Sequence, residues 1–299
     1  AMDISLNNSF EIFEVKTTTD KFILYPNTPN HLQLKMSYKF ISFAFQFAPD
    51  FLPGNDDENL RGRTRTFKLG TSLAFKKWYF GVSYAKVKGY YLYNTDEYTT
   101  QANGEPYIQF PDLSYKGFSL NSGFNSNNKF STKSLTSQTE RQLKSAGSFI
   151  PAISLRYYII DDKSSDINTQ KSNSIEANLG PGYVYNLVLK EKFYFSLALI
   201  ASLGYLNTKL TTRLPEGDYI SHQDNLIFRG DGKLGVGYNG PQFYMGLYGN
   251  TTMSEYRQEN TTVRNFDTRV FYHLFIGYRI KAPSFVRKQV KVIESKIPK

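Results

Sequence analysis

The feature that most limits the fold is a pair of long alternating segments, residues 174–205, joined by the polar turn 190–192. In the second arm, apolar side chains fall on every second residue from Phe193 to Leu203, mostly with small or polar residues between them. A period of two is the pattern of a β-strand. Each arm is longer than the five or six residues usual in soluble sheets and matches a tilted bilayer crossing of roughly 9 to 11 residues. The pair therefore predicts a transmembrane β-barrel.

Composition supports a barrel of one domain. Of the 299 residues, 40% are hydrophobic, yet 16% are aromatic, with 23 Tyr and 24 Phe. Barrels place aromatic rings in girdles at the two membrane interfaces. No apolar run reaches the 18 residues expected of a membrane helix, so transmembrane helices are excluded. Cysteine is absent, which excludes disulfides and thiol chemistry.

The chain opens with Ala1 and Met2 ahead of a polar stretch, without a recognisable signal peptide. We expect an exported, mature form in which these two residues remain from a cleaved tag. The predicted location is the outer membrane of a Gram-negative bacterium.

Loop lengths predict an up-and-down topology. Long polar segments alternate with short turns along the chain, and outer-membrane barrels keep short turns in the periplasm and long loops outside. We predict an all-β, antiparallel barrel of about 12 strands with both termini periplasmic. The first strand is predicted from 10–16 together with 22–25, and the long loops at 48–61, 94–112, 161–173 and 207–224.

The alternation is interrupted at 130–160. Residues 130–137 have the pattern of a weak strand, 138–145 fit neither a strand nor a lipid-facing surface, and 149–159 form a strong strand. Counting the two strand pieces as one crossing restores the alternation everywhere. Irregular backbone at membrane depth must lie in protein or in an aqueous lumen. We therefore predict an inward constriction or small plug, the alternative being a bulged strand end or an extracellular excursion. Its polar residues are Gln138, Glu140, Arg141, Lys144 and Ser145.

Ionisable residues collect on the predicted lumen face. They are Lys35, Lys68, Arg156, Glu176, Arg229, Asp231, Lys233, Asp267, Arg269, His273 and Arg279. Such groups can line an aqueous path and set its charge selectivity. They can equally form a salt-bridge network that closes a narrow barrel. Small residues on the same face favour a cavity, namely Gly81, Ser83, Ala85, Ser196, Ala198, Gly235 and Gly237.

Residues 1–280 are predicted to form the barrel and 281–299 a basic periplasmic tail. Lys plus Arg outnumber Asp plus Glu by 36 to 26, and much of the excess lies in this tail. We expect it to contact anionic lipid or other outer-membrane or periplasmic proteins, and we expect no nucleic acid partner.

With the strands placed, five segments resemble a known family. The segment 141–149 is the most specific, and the others are Tyr25-Pro26-Asn27, 37–42, 77–80 and 88–90. In order and spacing they resemble the Bacteroidota outer-membrane family of domain of unknown function 4421, over roughly 10–280. The resemblance implies an outer-membrane barrel. It brings no established activity and no functional residues.

Catalytic and metal sites find little support in the sequence. A barrel hydrolase needs Ser, His and an acid or amide together. His31 begins a predicted strand, His222 lies in a predicted loop, and His273 faces inward without a neighbouring Ser. The spacing of His and carboxylates gives no zinc pattern, and the acids at 56–58 are better explained as solvated loop charge than as a calcium site. We therefore predict no enzymatic activity, no metal and no cofactor.

Three functions follow in order of preference. The first is a narrow passive channel for small, anionic solutes. The second is a closed barrel that anchors or completes an outer-membrane complex. A lipid-modifying enzyme with His273 as base is a distant third.

Overall fold

The computed structural model describes residues 1–8, 12–16, 21–100, 104–136, 139–164, 169–257 and 264–295. The α-helices are α1 (Glu58–Arg61), α2 (Thr132–Thr136) and α3 (Ser284–Glu294), and a 3-10 turn covers Thr95–Glu97. None of the described helices is long and apolar enough to cross a membrane. The strands are β1 (Met2–Asn7), β2 (Phe13–Lys16), β3 (Lys21–Tyr25), β4 (His31–Tyr38), β5 (Ile41–Phe47), β6 (Arg65–Ala74), β7 (Trp78–Leu92), β8 (Gln109–Phe124), β9 (Ala146–Phe149), β10 (Ala152–Asp161), β11 (Thr169–Gly180), β12 (Gly182–Leu189), β13 (Phe193–Leu214), β14 (Gly217–Asn239), β15 (Phe243–Arg257) and β16 (Arg264–Tyr278).

Twelve strands close into an antiparallel ring. Its order is β1-β4-β5-β6-β7-β8-β10-β11-β13-β14-β15-β16, and β16 pairs back to β1. At one end β9 continues the crossing of β10, and β12 continues that of β11. The predicted all-β barrel of about 12 strands is therefore confirmed.

The first strand of the ring is β1, so the prediction from 10–16 and 22–25 is wrong. In β1, Met2 and Ile4 are exposed on the outside while Asp3, Ser5 and Asn7 are buried on the inside. The more apolar segments form the hairpin β2–β3, which joins the sheet only where Leu24 and Tyr25 meet the end of β7. Alternation, rather than total apolarity, marks the crossing, because a barrel wall has one wet face.

The interrupted crossing has a local cause. Pro151 separates β9 from β10, and Pro181 separates β11 from β12, since proline has no N–H to give to the ladder. The backbone still pairs there, because Ile150 N–H donates to Gly182 O at 2.7 Å. A Cβ on Gly180 would lie 1.9 Å from the Ala201 carbonyl oxygen, so glycine is required at this break.

The predicted weak strand 130–137 is wrong, because the structure places helix α2 there. The hydroxyl oxygen of Ser131 accepts a hydrogen bond from Ser134 N–H at 3.1 Å. This is an N-cap, which satisfies a free donor at the start of a helix. The N-cap and the short polar sequence favour a helix here more than the weak alternation of side chains favours a strand.

The two ends of the barrel differ in the length of their connections. Short turns at 39–40, 75–77, 190–192 and 240–242 lie at the same end as the start of β1 and the last residue of β16, because Met2 is paired with both Tyr278 and Met36. The other end carries the long loops. There the predicted loop 207–224 is wrong: β13 and β14 continue through it as a protruding hairpin, and β11 similarly begins inside the predicted loop 161–173. Polarity predicts loops at these positions, but residues 207–214 include three Thr, a residue that favours strands.

The outer surface is apolar and the inner surface polar. Large exposed side chains, such as Leu199, Leu203 and Leu247, cover the middle of the wall, while Ser5, Asn7, Ser42 and Ser196 are buried inside. Aromatic side chains mark both ends of this apolar surface, with Trp78, Phe193 and Tyr278 at the short-turn end and Tyr84, Phe118, Tyr157 and Tyr205 at the loop end. This distribution is that of a barrel wall in a lipid bilayer.

Candidate functional site: the lumen and the mouth loop

The lumen contains a cavity of about 500 Å³ between the inner faces of β1, β4–β8 and β14–β16. Its charged lining residues are Asp3, Lys35 and Lys233, with His273 beside them. Amides and hydroxyls supply the remaining polar surface, among them Gln33, Gln46, Ser72, Ser83, Asn121 and Asn250. Alternate residues of some strands reach the cavity, as Ser42, Ala44 and Gln46 do in β5, so the register of the sheet builds it.

Positive charge prevails in this cavity. Lys35 and Lys233 come from opposite parts of the chain, and the ammonium of Lys233 lies 3.9 Å from the ring centroid of Tyr248. Asp3 is the described carboxylate in the lining, and it accepts a hydrogen bond from Tyr244 OH at 3.0 Å. The lining can therefore attract a small anion.

Four of the predicted lumen residues form a single ionic network. Glu176 contacts Arg156 at 3.4 Å and Arg229 at 3.2 Å, and Asp231 binds Arg229 in a bidentate pair with both distances 2.9 Å. Asn178 donates to Glu176 at 2.8 Å. With two cations and two anions the network is neutral. It ties β10, β11 and β14 together across the lumen wall.

The remaining predicted lumen residues lie apart from these two groups. Lys68 of β6 is paired with Gln46 of β5. In β16, Asp267 is paired with Ser254 and Arg269 with Thr252, and for these two β16 residues only the position in the strand is described. Arg279 follows β16 at the rim, where its guanidinium donates to Gly240 O at 2.6 Å and lies 4.7 Å from the Tyr244 ring centroid. It therefore tethers a rim turn.

Aromatic side chains narrow the lumen below the cavity. Tyr194, Tyr244, Tyr248 and Phe275 pack together, and Tyr194 OH donates to Tyr248 OH at 3.1 Å. Gly235 and Gly237 do not leave open space here, contrary to the sequence interpretation: a Cβ on Gly235 would meet the Tyr248 ring at 2.1 Å. The polar and small residues of the inner face do not predict this narrowing, because aromatic residues such as Tyr244 and Tyr248 also lie on that face.

The connection between β8 and β9 is described at residues 125–136 and 139–145. These residues lie across the short-turn end, and we call them the mouth loop. The mouth loop contacts the short turns at 39–40, 75–77 and 190–192 and the strand end before the turn at 240–242. Thr132 Oγ1 donates to Phe75 O at 2.8 Å, Thr139 Oγ1 to Lys39 O at 2.7 Å, and the Arg141 guanidinium to Glu191 O at 2.9 Å. Arg141 also donates to Asn239 O at the end of β14, and Ser145 Oγ accepts from Val188 N–H of β12 at 2.9 Å. The mouth loop therefore spans the opening.

Arg141 and Phe130 hold the mouth loop in place. The Arg141 guanidinium donates to Asn239 O at 3.0 Å and to Glu191 O at 2.9 Å, which joins the end of β14 to the short turn 190–192. Phe130, 2% exposed, packs against Val184 and Ala198 on the inner wall. Of the predicted constriction residues, Arg141 and Ser145 contact the rim, Glu140 binds within the loop, Lys144 is exposed, and Gln138 lies outside the described residues.

Glu140 stabilises the mouth loop from within. Its carboxylate accepts from Lys133 Nζ and from Ser131 Oγ, both at 2.8 Å. Partial burial alone would raise the pKa of Glu140, but these two bonds outweigh it and hold the pKa below its ordinary value of 4.5. A carboxyl group with a lowered pKa stabilises the folded loop at neutral pH and loses that effect as the pH falls through the lowered pKa.

We expect conductance through the barrel to rise as the pH is lowered from 5 to 3, because protonated Glu140 releases Lys133. The group is half-exposed, so the rise should stay below about fivefold. The measurement is single-channel recording over this pH range. Glu140→Gln should already conduct more at pH 7, whereas the control Glu216→Gln, at the opposite end, should match the wild type at every pH. A pH response in Glu140→Gln equal to that of the wild type would contradict this assignment.

The surroundings of His273 and the positions of the described His, Asp and Glu residues bear on catalysis and metal binding. His273 lies beside aromatic rings, with centroids 6.4 Å from Tyr248 and 5.7 Å from Phe275, and it shares its cavity with Lys233. Within the part of the chain that the structure describes, no group of His, Asp and Glu has the arrangement of a metal site.

The closed ring, its apolar exterior with aromatic ends and its polar lumen define a β-barrel of the outer-membrane type. More particularly, the chain belongs to the family described as domain of unknown function 4421 (DUF4421), whose model matches residues 1–280. A comparison with curated proteins found no match.

Three solved outer-membrane barrels are similar to this chain. The chain is similar to the outer membrane protease OmpT from Escherichia coli, with a TM-score of 0.41 and 9% identity over 93% of each chain. It is also similar to the ferric yersiniabactin uptake receptor FyuA from Yersinia pestis, with a TM-score of 0.30 and 11% identity, and to the siderophore receptor PiuA from Acinetobacter baumannii, with a TM-score of 0.29 and 10% identity. About 94% of the chain is covered in both cases, which is 44% and 47% of those receptors. At these identities the likeness concerns the fold alone.

The prediction that the chain is not an enzyme is wrong, because a barrel architecture does not exclude enzymatic activity. A protease is among the barrels that it resembles, so this kind of fold is compatible with enzymes. The likeness assigns neither a reaction nor a catalytic residue to this chain.

Proposed function

We propose that the protein is a narrow passive channel for small solutes in the outer membrane of a Gram-negative bacterium, with a preference for anions. The observation that supports it is the lumen cavity of about 500 Å³, in which Lys35 and Lys233 face one described carboxylate, Asp3. Rings of basic side chains favour anions in pores. Assignment to the Bacteroidota stays a prediction from the sequence resemblance.

In this proposal a solute enters from the loop end and meets the amides and hydroxyls of the cavity. These groups replace water around the solute, while the ammonium groups of Lys35 and Lys233 offset its charge. The neutral network of Glu176 with Arg156 and Arg229 holds the wall without adding net charge. To leave, the solute passes the aromatic residues, and the mouth loop must shift.

A closed barrel that serves as an anchor or accessory subunit is the second candidate. The aromatic packing around Tyr248 and the mouth loop both fill the short-turn end, and the basic helix α3 follows the last strand there. This helix carries Arg287, Lys288 and Lys291 and would be the surface offered to a protein partner. Single-channel recordings of the wild type and of a variant without residues 139–145 separate the two candidates. An anchor conducts ions neither with nor without these residues of the mouth loop.

The charge preference can be measured directly. In planar bilayers with a KCl gradient, we expect the reversal potential of the wild type to indicate chloride preference. Lys35→Gln with Lys233→Gln should shift it toward potassium, because the cavity then retains only the charge of Asp3. The control Lys209→Gln removes an exposed lysine of the protruding hairpin and should leave the potential unchanged. Potassium preference in the wild type, or no shift in the double variant, would contradict the anion assignment.

A further inference from the structure

Two lysines face each other on the outside of the barrel near the loop end. The register of β7 and β8 places Lys86 directly opposite Lys116. Lys86 is two residues from the outward Tyr84, and Lys116 is two residues from the outward Phe118, so both lysines are on the outer face. Both are exposed. Arg65, two residues before the outward Phe67, extends the same basic surface on β6.

This arrangement is unfavourable without an external anion. Like charges directly opposite each other across two strands destabilise a sheet. No ion pair of Lys86 or Lys116 with an acidic group is found among the described residues. By contrast Lys88, the next outward residue on β7, pairs with Asp112 at 2.7 Å. The pair of Lys86 and Lys116 therefore has unused capacity to bind an anion.

The level of the pair along the barrel identifies the anion. One register row closer to the membrane centre, Tyr84, Phe118 and Tyr157 lie side by side across β7, β8 and β10, all exposed. Outward aromatic residues of this kind mark the headgroup level of a bilayer. The two lysines lie one such row further out, about 7 Å along the strand. Lipid phosphates occupy that level.

We propose that Lys86 and Lys116 bind a phosphate group of the lipid in the leaflet at the loop end. The phosphate accepts hydrogen bonds from both ammonium groups and removes their mutual repulsion. The acyl chains of the same lipid pack on the aromatic row of Tyr84, Phe118 and Tyr157. In an outer membrane the outer leaflet offers phosphorylated glucosamine lipid for this role. The site is independent of conduction through the lumen.

The test uses native mass spectrometry of the purified full chain in a non-ionic detergent, titrated with bisphosphorylated lipid A. We expect one lipid per barrel, and at least tenfold weaker binding when the lipid lacks its phosphates. Lys86→Gln with Lys116→Gln should lose the same factor. The matched control Lys76→Gln with Lys77→Gln makes the same change of charge at the short-turn end and should bind like the wild type.

Folding of the double variant is checked separately. Without lipid, it should unfold at a temperature no lower than the wild type, because a repulsion has been removed, and it should gain less from added lipid A. Equal binding of the phosphate-free lipid, or undiminished binding by Lys86→Gln with Lys116→Gln, would overturn the proposal. The result of this test does not depend on conductance, because lipid binding is measured by mass spectrometry and the channel by separate recordings.

Discussion

Replacing Arg141 with alanine should raise the open probability of the barrel about tenfold. Arg141 joins the short turn 190–192 to the end of β14 by donating to Glu191 O and Asn239 O. Hydrogen bonds from a charged donor contribute about 1.5 to 3 kcal/mol when buried, less when partly exposed as here. A loss of about 1.4 kcal/mol shifts an equilibrium tenfold. Single-channel recordings at neutral pH measure the effect.

The control for this change lies in the same loop. Lys144→Ala removes an equal charge three residues away, where the side chain is exposed, and should leave the open probability near the wild-type value. Arg141→Lys keeps the charge but cannot reach two carbonyl groups at once, so it should fall between the two. If neither Arg141→Ala nor removal of residues 139–145 changes the recordings of a folded barrel, the mouth loop does not gate it.

Glu176→Gln should lower the free energy of unfolding by about 3 kcal/mol, the cost of removing one partner from a buried ion pair. The carboxylate of Glu176 is 8% exposed and contacts both Arg156 and Arg229, so its loss leaves two guanidinium groups partly uncompensated in the lumen. Urea unfolding in micelles, followed by the shift in electrophoretic mobility between folded and unfolded barrels, measures the change.

Two further variants decide how the network acts. Asp218→Asn, on the exposed protruding hairpin, serves as the matched carboxylate control and should change the free energy of unfolding by less than about 0.5 kcal/mol. Adding Arg156→Gln to Glu176→Gln should recover part of the loss, because Glu176 is the carboxylate that Arg156 contacts, whereas Arg229 keeps its bidentate pair with Asp231. Equal losses for Glu176→Gln and Asp218→Asn would show that the network contributes nothing specific to stability.

The alternation of side chains was sufficient to predict the barrel. The predicted crossings at 149–159 and in the two arms of 174–205 are confirmed, because one wall face meets lipid and the other water, and this imposes a period of two on residues such as Phe193 to Leu203. The first crossing was missed, since the six residues of β1 are few and the hairpin β2–β3 is more apolar. A high apolar content in a segment indicates that it is buried somewhere, whereas a barrel crossing requires apolar and polar side chains to alternate along the strand.

The sequence by itself therefore determined the architecture and the inward face of residues such as Lys35, Glu176 and Lys233, because strand geometry fixes the face once the strand is located. Only the tertiary structure decided which of those residues meet. Glu176 contacts Arg156 and Arg229, Lys35 shares a cavity with Lys233, and Arg141 contacts Glu191 and Asn239, which are far from it in sequence. These contacts depend on the closure and register of the ring, which bring together residues from 20 to 198 positions apart and leave no periodic signal in the chain.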